Sequence, residues 1–119
     1  MCIRDSHSTQ LEGPYIPHTA NPVKVSPAGS RMAGPFFYLN NLLIRPSQYS
    51  LKYYGEKVVF QQVKQLSPSI YQEEVHSELL PLKESHFSDG LHNYHKNDYL
   101  EVVDLKKMRS GLVSLKAQL

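Results

Sequence analysis

The chain has 119 residues, of which 40% are hydrophobic and 20% charged, with a formal net charge of +2. That is enough for one small globular domain and too hydrophobic for a disordered tail. It holds no dense Lys/Arg block of the kind that binds nucleic acid and no apolar run long enough for a membrane-spanning helix. Its single cysteine, Cys2, excludes an internal disulfide.

Residues 1–13 read as a doubtful or disordered leader, because Met1–Ser6 resembles translated read-through of a sequencing adapter and shows no secretory signal. The true start is then expected upstream. Five of the eight prolines lie between Pro14 and Pro35, which predicts extended loop, with a short strand near Gly13–His18. Phe36–Ile44 is apolar apart from Asn40 and Asn41, and its length fits a buried helix or a strand. Pro46 and Ser47 suggest the start of a short helix over Ser47–Tyr54, closed by Gly55.

Lys57–Val63 is rich in β-branched residues and reads as a strand. Ser67-Pro68 looks like an N-cap followed by proline at the first helical position, which predicts a helix over Ser69–Leu80. Asn97 is placed to cap a last helix, roughly Asp98–Lys116. There Val102, Leu105, Met108, Leu112 and Leu115 recur at three- and four-residue steps. A strand between helices implies an α/β class. The reading is an incomplete fragment of a three-layer α/β/α domain with a parallel sheet, carrying the C-terminal strand and helices over residues 14–119.

The densest polar cluster is Ser85–His95. Within it Asp89 precedes His92 by three residues, with Gly90 between them to permit a tight path. A carboxylate so placed fixes an imidazole tautomer and leaves the other ring nitrogen free to take a proton from a hydroxyl.

Asp89-Gly90-Leu91-His92 ahead of a last helix resembles the final sequence block of SGNH/GDSL hydrolases, as does Tyr99 near the start of that helix. The branch acting on polysaccharide esters is similar in the order Val58–Phe60, Leu66-Ser67, His76, Asp89 and His92, and in Thr19–Pro22. The resemblance implies a serine esterase or acyltransferase acting on O-acyl groups of carbohydrates. His92 would be the general base, Asp89 its orienting carboxylate, and the nucleophilic serine would lie upstream. The implied substrate is an acylated carbohydrate, and no cofactor or metal is required. The Gly-Asp-Ser block and the cysteines usual near the motif are absent, so the fragment alone is expected to be inactive.

Other readings stand beside it. Asp89 and His92 also fit a solvent-facing turn. His86, His92 and His95, with Asp89 or His76, form a looser candidate for zinc at no recognised spacing. His86–Tyr94 is similar to a short stretch of thymidylate synthases, whose cysteine nucleophile is missing here. The alternative from another class is a non-catalytic interaction or structural fragment with no active site, using the aromatic, proline-rich first third.

Overall fold

The computed structural model describes residues 2–108, which contain eleven strands and no helix. These are β1 (Cys2–Ile3), β2 (Ser6–His7), β3 (Ile16–Pro17), β4 (Lys24–Val25), β5 (Ala28–Met32), β6 (Phe37–Leu39), β7 (Leu42–Tyr49), β8 (Lys57–Leu66), β9 (Tyr71–Leu79), β10 (Tyr94–Lys96) and β11 (Glu101–Val103). The main sheet runs β5-β7-β8-β9, with β6 also on β7, and every pairing is antiparallel. Three two-stranded ladders, β1-β4, β2-β3 and β10-β11, complete the described part.

This overturns the expected α/β class and its parallel sheet. Parallel neighbours need a long crossover, whereas these strands are joined by connections of two to seven residues. Asn40 and Asn41 have φ of 49° and 64° and link β6 to β7 as a two-residue hairpin. Ser67 closes the β8–β9 turn: its N–H donates to the Ile70 carbonyl at 2.9 Å, and its hydroxyl accepts the Ile70 N–H at 2.9 Å. The side chain expected to cap a helix therefore caps a hairpin.

The helix expected over Ser69–Leu80 is β9, where Tyr71, Glu73 and Ser77 alternate inward against more exposed neighbours. The one expected over Ser47–Tyr54 is the end of β7 and the loop after it. Pro46 fits inside β7 because the outer partner changes there from β6 to β5. Its carbonyl accepts the Ala33 N–H at 3.0 Å in that gap, so its missing N–H costs no ladder bond. Lys57–Val63 is strand, within the longer β8.

The last expected helix is also corrected within residues 98–108. Asn97 Oδ1 accepts the N–H groups of Tyr99 (2.9 Å) and Leu100 (2.8 Å), and the Asn97 N–H donates to the Leu100 carbonyl, making the β10–β11 turn. Val102 and Met108 are each about half exposed rather than part of a buried stripe. Leu112 and Leu115 lie outside the described residues.

Alternation gives the main sheet two unlike faces. One carries Ile44, Val58 and Phe60 and meets Ala33, Phe37, Leu91 and Tyr94. Phe60 and Tyr94 meet edge-on at 4.8 Å, and Phe37 and Phe60 at 5.8 Å. Such pairs add about 0.5–1.5 kcal/mol each beyond burial. The β10–β11 hairpin docks on this face through backbone. The Tyr94 N–H donates to the Ala33 carbonyl at 2.8 Å, and a Cβ on Gly34 would stand 1.9 Å from the Tyr94 carbonyl oxygen. The other face carries Arg45, Ser47 and Gln61, all buried, beside Val59 and Val63.

The first strands are tied in by side-chain amide pairing. The Asp5 N–H donates to Asn21 Oδ1, and Asn21 Nδ2 donates to the Asp5 carbonyl, both at 2.8 Å. The Thr19 N–H donates to the Pro68 carbonyl at 3.2 Å, which links this region to the β8–β9 turn. No helix among the described residues is long and apolar enough to cross a membrane.

Candidate functional site

Two places gather reactive or ligand-binding groups. The first holds His92. Its Nδ1 pairs with a carboxylate, but the carboxylate is Asp104, twelve residues later. Asp104 Oδ1 also accepts the backbone N–H groups of His92 (2.9 Å) and Asn93 (2.6 Å). Partial burial pushes the Asp104 carboxyl up, but these N–H donors and the imidazole outweigh it and hold it below the usual value. Asp89 turns elsewhere: its Oδ2 accepts the Met108 N–H at 2.8 Å and lies 3.6 Å from Lys107 Nζ.

Around His92 stand aromatic rings and cations. The Tyr54 ring lies 5.1 Å from the imidazole, and the Arg31 guanidinium lies 5.5 Å over the same tyrosine. Lys106 Nζ donates to the Tyr54 carbonyl and sits 4.7 Å over the Tyr53 ring. Gly90 permits this meeting of loops, because a Cβ there would stand 2.0 Å from the Gly55 carbonyl oxygen. The other histidines lie apart from it in their contacts. His76 Nδ1 contacts Ser77 Oγ, His86 packs edge-on to Phe87, and His95 is exposed on β10. Among the described residues no three His, Cys, Asp or Glu side chains come together to hold a metal.

The second place is a cavity of about 420 Å³ between the first strands and the polar face of the sheet. Its lining includes Arg45 and Tyr71, the apolar Val23, Met32, Phe36 and Leu66, and the polar Ser6, His7 and Ser67. Arg45, 1% exposed, reaches from β7 across β8 to Glu73 on β9. Nε and Nη2 donate to the two Glu73 oxygens at 2.7 Å each, and Nη2 also donates to the Gly29 carbonyl at 2.7 Å. Lys24 Nζ pairs with Glu73 Oε1, and the Tyr71 hydroxyl donates to Glu73 Oε2 at 2.5 Å.

A charge taken out of water is tolerated only with such complete pairing. Burial pushes the Glu73 carboxyl up, but hydrogen bonds from Arg45, Lys24 and Tyr71 outweigh it, so it lies below the usual range. Burial and the Glu73 carboxylate both raise the Tyr71 phenol. The clamp thus stays charged and the phenol stays protonated. Within the lining, His7 Nδ1 is buried without a hydrogen-bond partner.

The family model described as "Glucosamine inositolphosphorylceramide transferase 1, N-terminal" matches residues 3–113. The chain belongs to this family. No curated protein and no solved structure matches it. Membership in this transferase family overturns the SGNH/GDSL resemblance, and with it the serine esterase or O-acyltransferase reading. The short Asp-x-x-His pattern arose without the α/β/α scaffold that gives it meaning. The family assignment gives no support either to the alternative of a fragment without any active site.

Sequence reasoning found His92 but not Asp104, whose signal was only an acidic residue just after a β-branched pair, Val102-Val103. It passed over Arg45 and placed Glu73 inside the helix expected over Ser69–Leu80. Arg45 next to Pro46 in an otherwise apolar stretch was the available signal, since a charge there needs a buried partner.

Proposed function

We propose that this chain is the substrate-handling N-terminal domain of a sugar transferase, and that it holds a saccharide portion of the substrate in the cavity above Arg45, Glu73 and Tyr71. The observation that carries this reading is the mixed lining of the cavity, apolar side chains together with hydroxyls. A sugar ring has an apolar C–H face and a rim of hydroxyls. Met32, Phe36 and Leu66 suit the first, while Ser6, Ser67 and the Tyr71 phenol oxygen suit the second. The volume falls within the range of small-molecule sites.

The family supports the class of ligand, since it is named for a glucosamine inositolphosphorylceramide transferase. The domain's part is binding and orientation. The clamp keeps Arg45 and Tyr71 in place, and the apolar side chains exclude water from one face of the ring. Calorimetric titration with glucosamine, N-acetylglucosamine and inositol tests the reading. At least one should bind, and Phe36→Ala should weaken it about tenfold, or ~1.4 kcal/mol. Absence of binding by all three, or an unchanged affinity in Phe36→Ala, overturns it.

A further inference from the structure

We infer that residues 2–25 form a lid on the cavity, hinged at Ser26-Pro27 and latched by Thr19 to the Pro68 carbonyl, and that ligand enters and leaves when the latch opens. The inference rests on the cavity being a ligand site, whatever the ligand is, and its test separates the two.

The cavity is shared between two parts of the chain. Ile3, Asp5, His7 and Val23 line it from the first strands, and Met32, Arg45, Pro68 and Tyr71 from the rest. The first part is tied together as one piece. Besides the Asp5–Asn21 pairing, the His18 N–H donates to the Asp5 carbonyl at 2.9 Å and the Val23 N–H to the Ile3 carbonyl at 3.0 Å. No strand pairing joins this piece to the main sheet, since β1 pairs with β4 and β2 with β3. Among the described residues its hydrogen bonds to the rest reach two places, the Pro68 carbonyl and the Glu73 carboxylate.

The two links differ in position. Lys24, which pairs with Glu73, lies two residues before Ser26. Just after the connection, the Gly29 carbonyl accepts Arg45 Nη2 at 2.7 Å. The Arg45–Glu73 clamp thus holds the chain on both sides of Ser26-Pro27. Pro27 fixes one backbone angle there, and Ser26 Oγ accepts the Ala28 N–H at 3.0 Å, which leaves few directions of movement. Thr19 is at the other end. Its N–H donates to the Pro68 carbonyl at 3.2 Å in the β8–β9 turn, whereas the connection enters β5, at the opposite edge of the main sheet. A piece held by ion pairs at one end and by one neutral backbone bond at the other opens at the second.

The closed position also carries a cost. His18 Nδ1 accepts the Ala20 N–H at 3.0 Å, so the neutral ring keeps its proton on Nε2, which is buried without an acceptor. His7 Nδ1, in the cavity lining, is likewise buried and unpaired. Water reaching these rings on opening relieves that cost. A ligand that touches both parts of the lining then shifts the balance toward closure.

The test has a ligand-free arm and a ligand arm. In the free chain, relaxation dispersion should show exchange on a common timescale at Ser6, His7, Thr19, Ser67 and Tyr71, and none at Leu91. Thr19→Cys with Pro68→Cys, in a Cys2→Ser background, places two thiols where the backbones already touch. Oxidation of that pair should remove the exchange, and reduction should restore it. If the pair does not close, Thr19→Pro, which lacks the donor N–H, should enlarge the exchange, while Thr19→Ala, which keeps it, should not. In the ligand arm, oxidation should slow both association and dissociation of glucosamine, N-acetylglucosamine or inositol about tenfold. Failure of all three to bind counts against the saccharide reading, and the ligand-free arm then decides on the lid alone. The inference is overturned if the free chain shows no such exchange, if the exchange survives oxidation, or if a bound sugar keeps both rates in the oxidised form.

Discussion

The two faces of the main sheet solve burial in opposite ways. One is filled by Val58, Phe60, Leu91 and Tyr94, where small shifts in shape are absorbed by neighbouring hydrocarbon. The other buries Arg45 and Gln61 beside Ser47 and holds them by directed bonds. A directed network has few tolerated alternatives, and losing one member strands the rest. The polar face is also the one that opens to the cavity, whereas the apolar face is covered by the β10–β11 hairpin. The rigidity needed by a binding site is thus on the side where a ligand can reach it.

The sharpest way to break this contrast is at Glu73. Glu73→Ala should cost about 3–5 kcal/mol, because it leaves the Arg45 guanidinium buried without its carboxylate. A double variant, Arg45→Met with Glu73→Leu, should recover most of that loss in a denaturant titration. If the single substitution costs less than about 1 kcal/mol, the clamp is not what holds this face.

On the apolar face, Leu91→Ala should cost about 2–5 kcal/mol through the cavity it leaves, with no rescue by a second polar change. Beside His92, Asp104→Ala should cost about 1 kcal/mol by removing the bonds to the His92 and Asn93 N–H groups. Amide exchange at those two positions should quicken while β7 and β8 stay protected.

Acidity separates the faces further. The folded Glu73 carboxyl lies below its ordinary value of 4.5. Its contribution is therefore full above that value and is lost as pH falls through the depressed folded one. The wild type should lose stability steeply in acid, and Glu73→Gln should show a flatter acid limb in pH-dependent thermal unfolding. An unchanged limb in the variant would place the acid sensitivity elsewhere.

How much of this could be read from the chain follows from the same contrast. Lys57–Val63 declared itself a strand because its β-branched residues act locally. Asn40-Asn41 held a hairpin signal, but between two apolar stretches it looked like a break in one element. Ser67-Pro68 and Asn97 were recognised as caps, and the error lay in what they cap, since a serine or asparagine oxygen closes a hairpin turn with the same local bonds that start a helix. The Arg45–Glu73 pair spans a whole intervening strand, so no local pattern announces it. His92 was legible as a steered imidazole, while its actual partner depends on a hairpin that had been taken for a helix.

The saccharide reading of the cavity is tested most directly by amide chemical-shift mapping of the full chain with N-acetylglucosamine. The sugar should move Phe36, Ser67 and Tyr71 and leave Leu91 and Tyr94, on the apolar face, where they were. No shift at the first set, or equal shifts on both faces, would contradict the account.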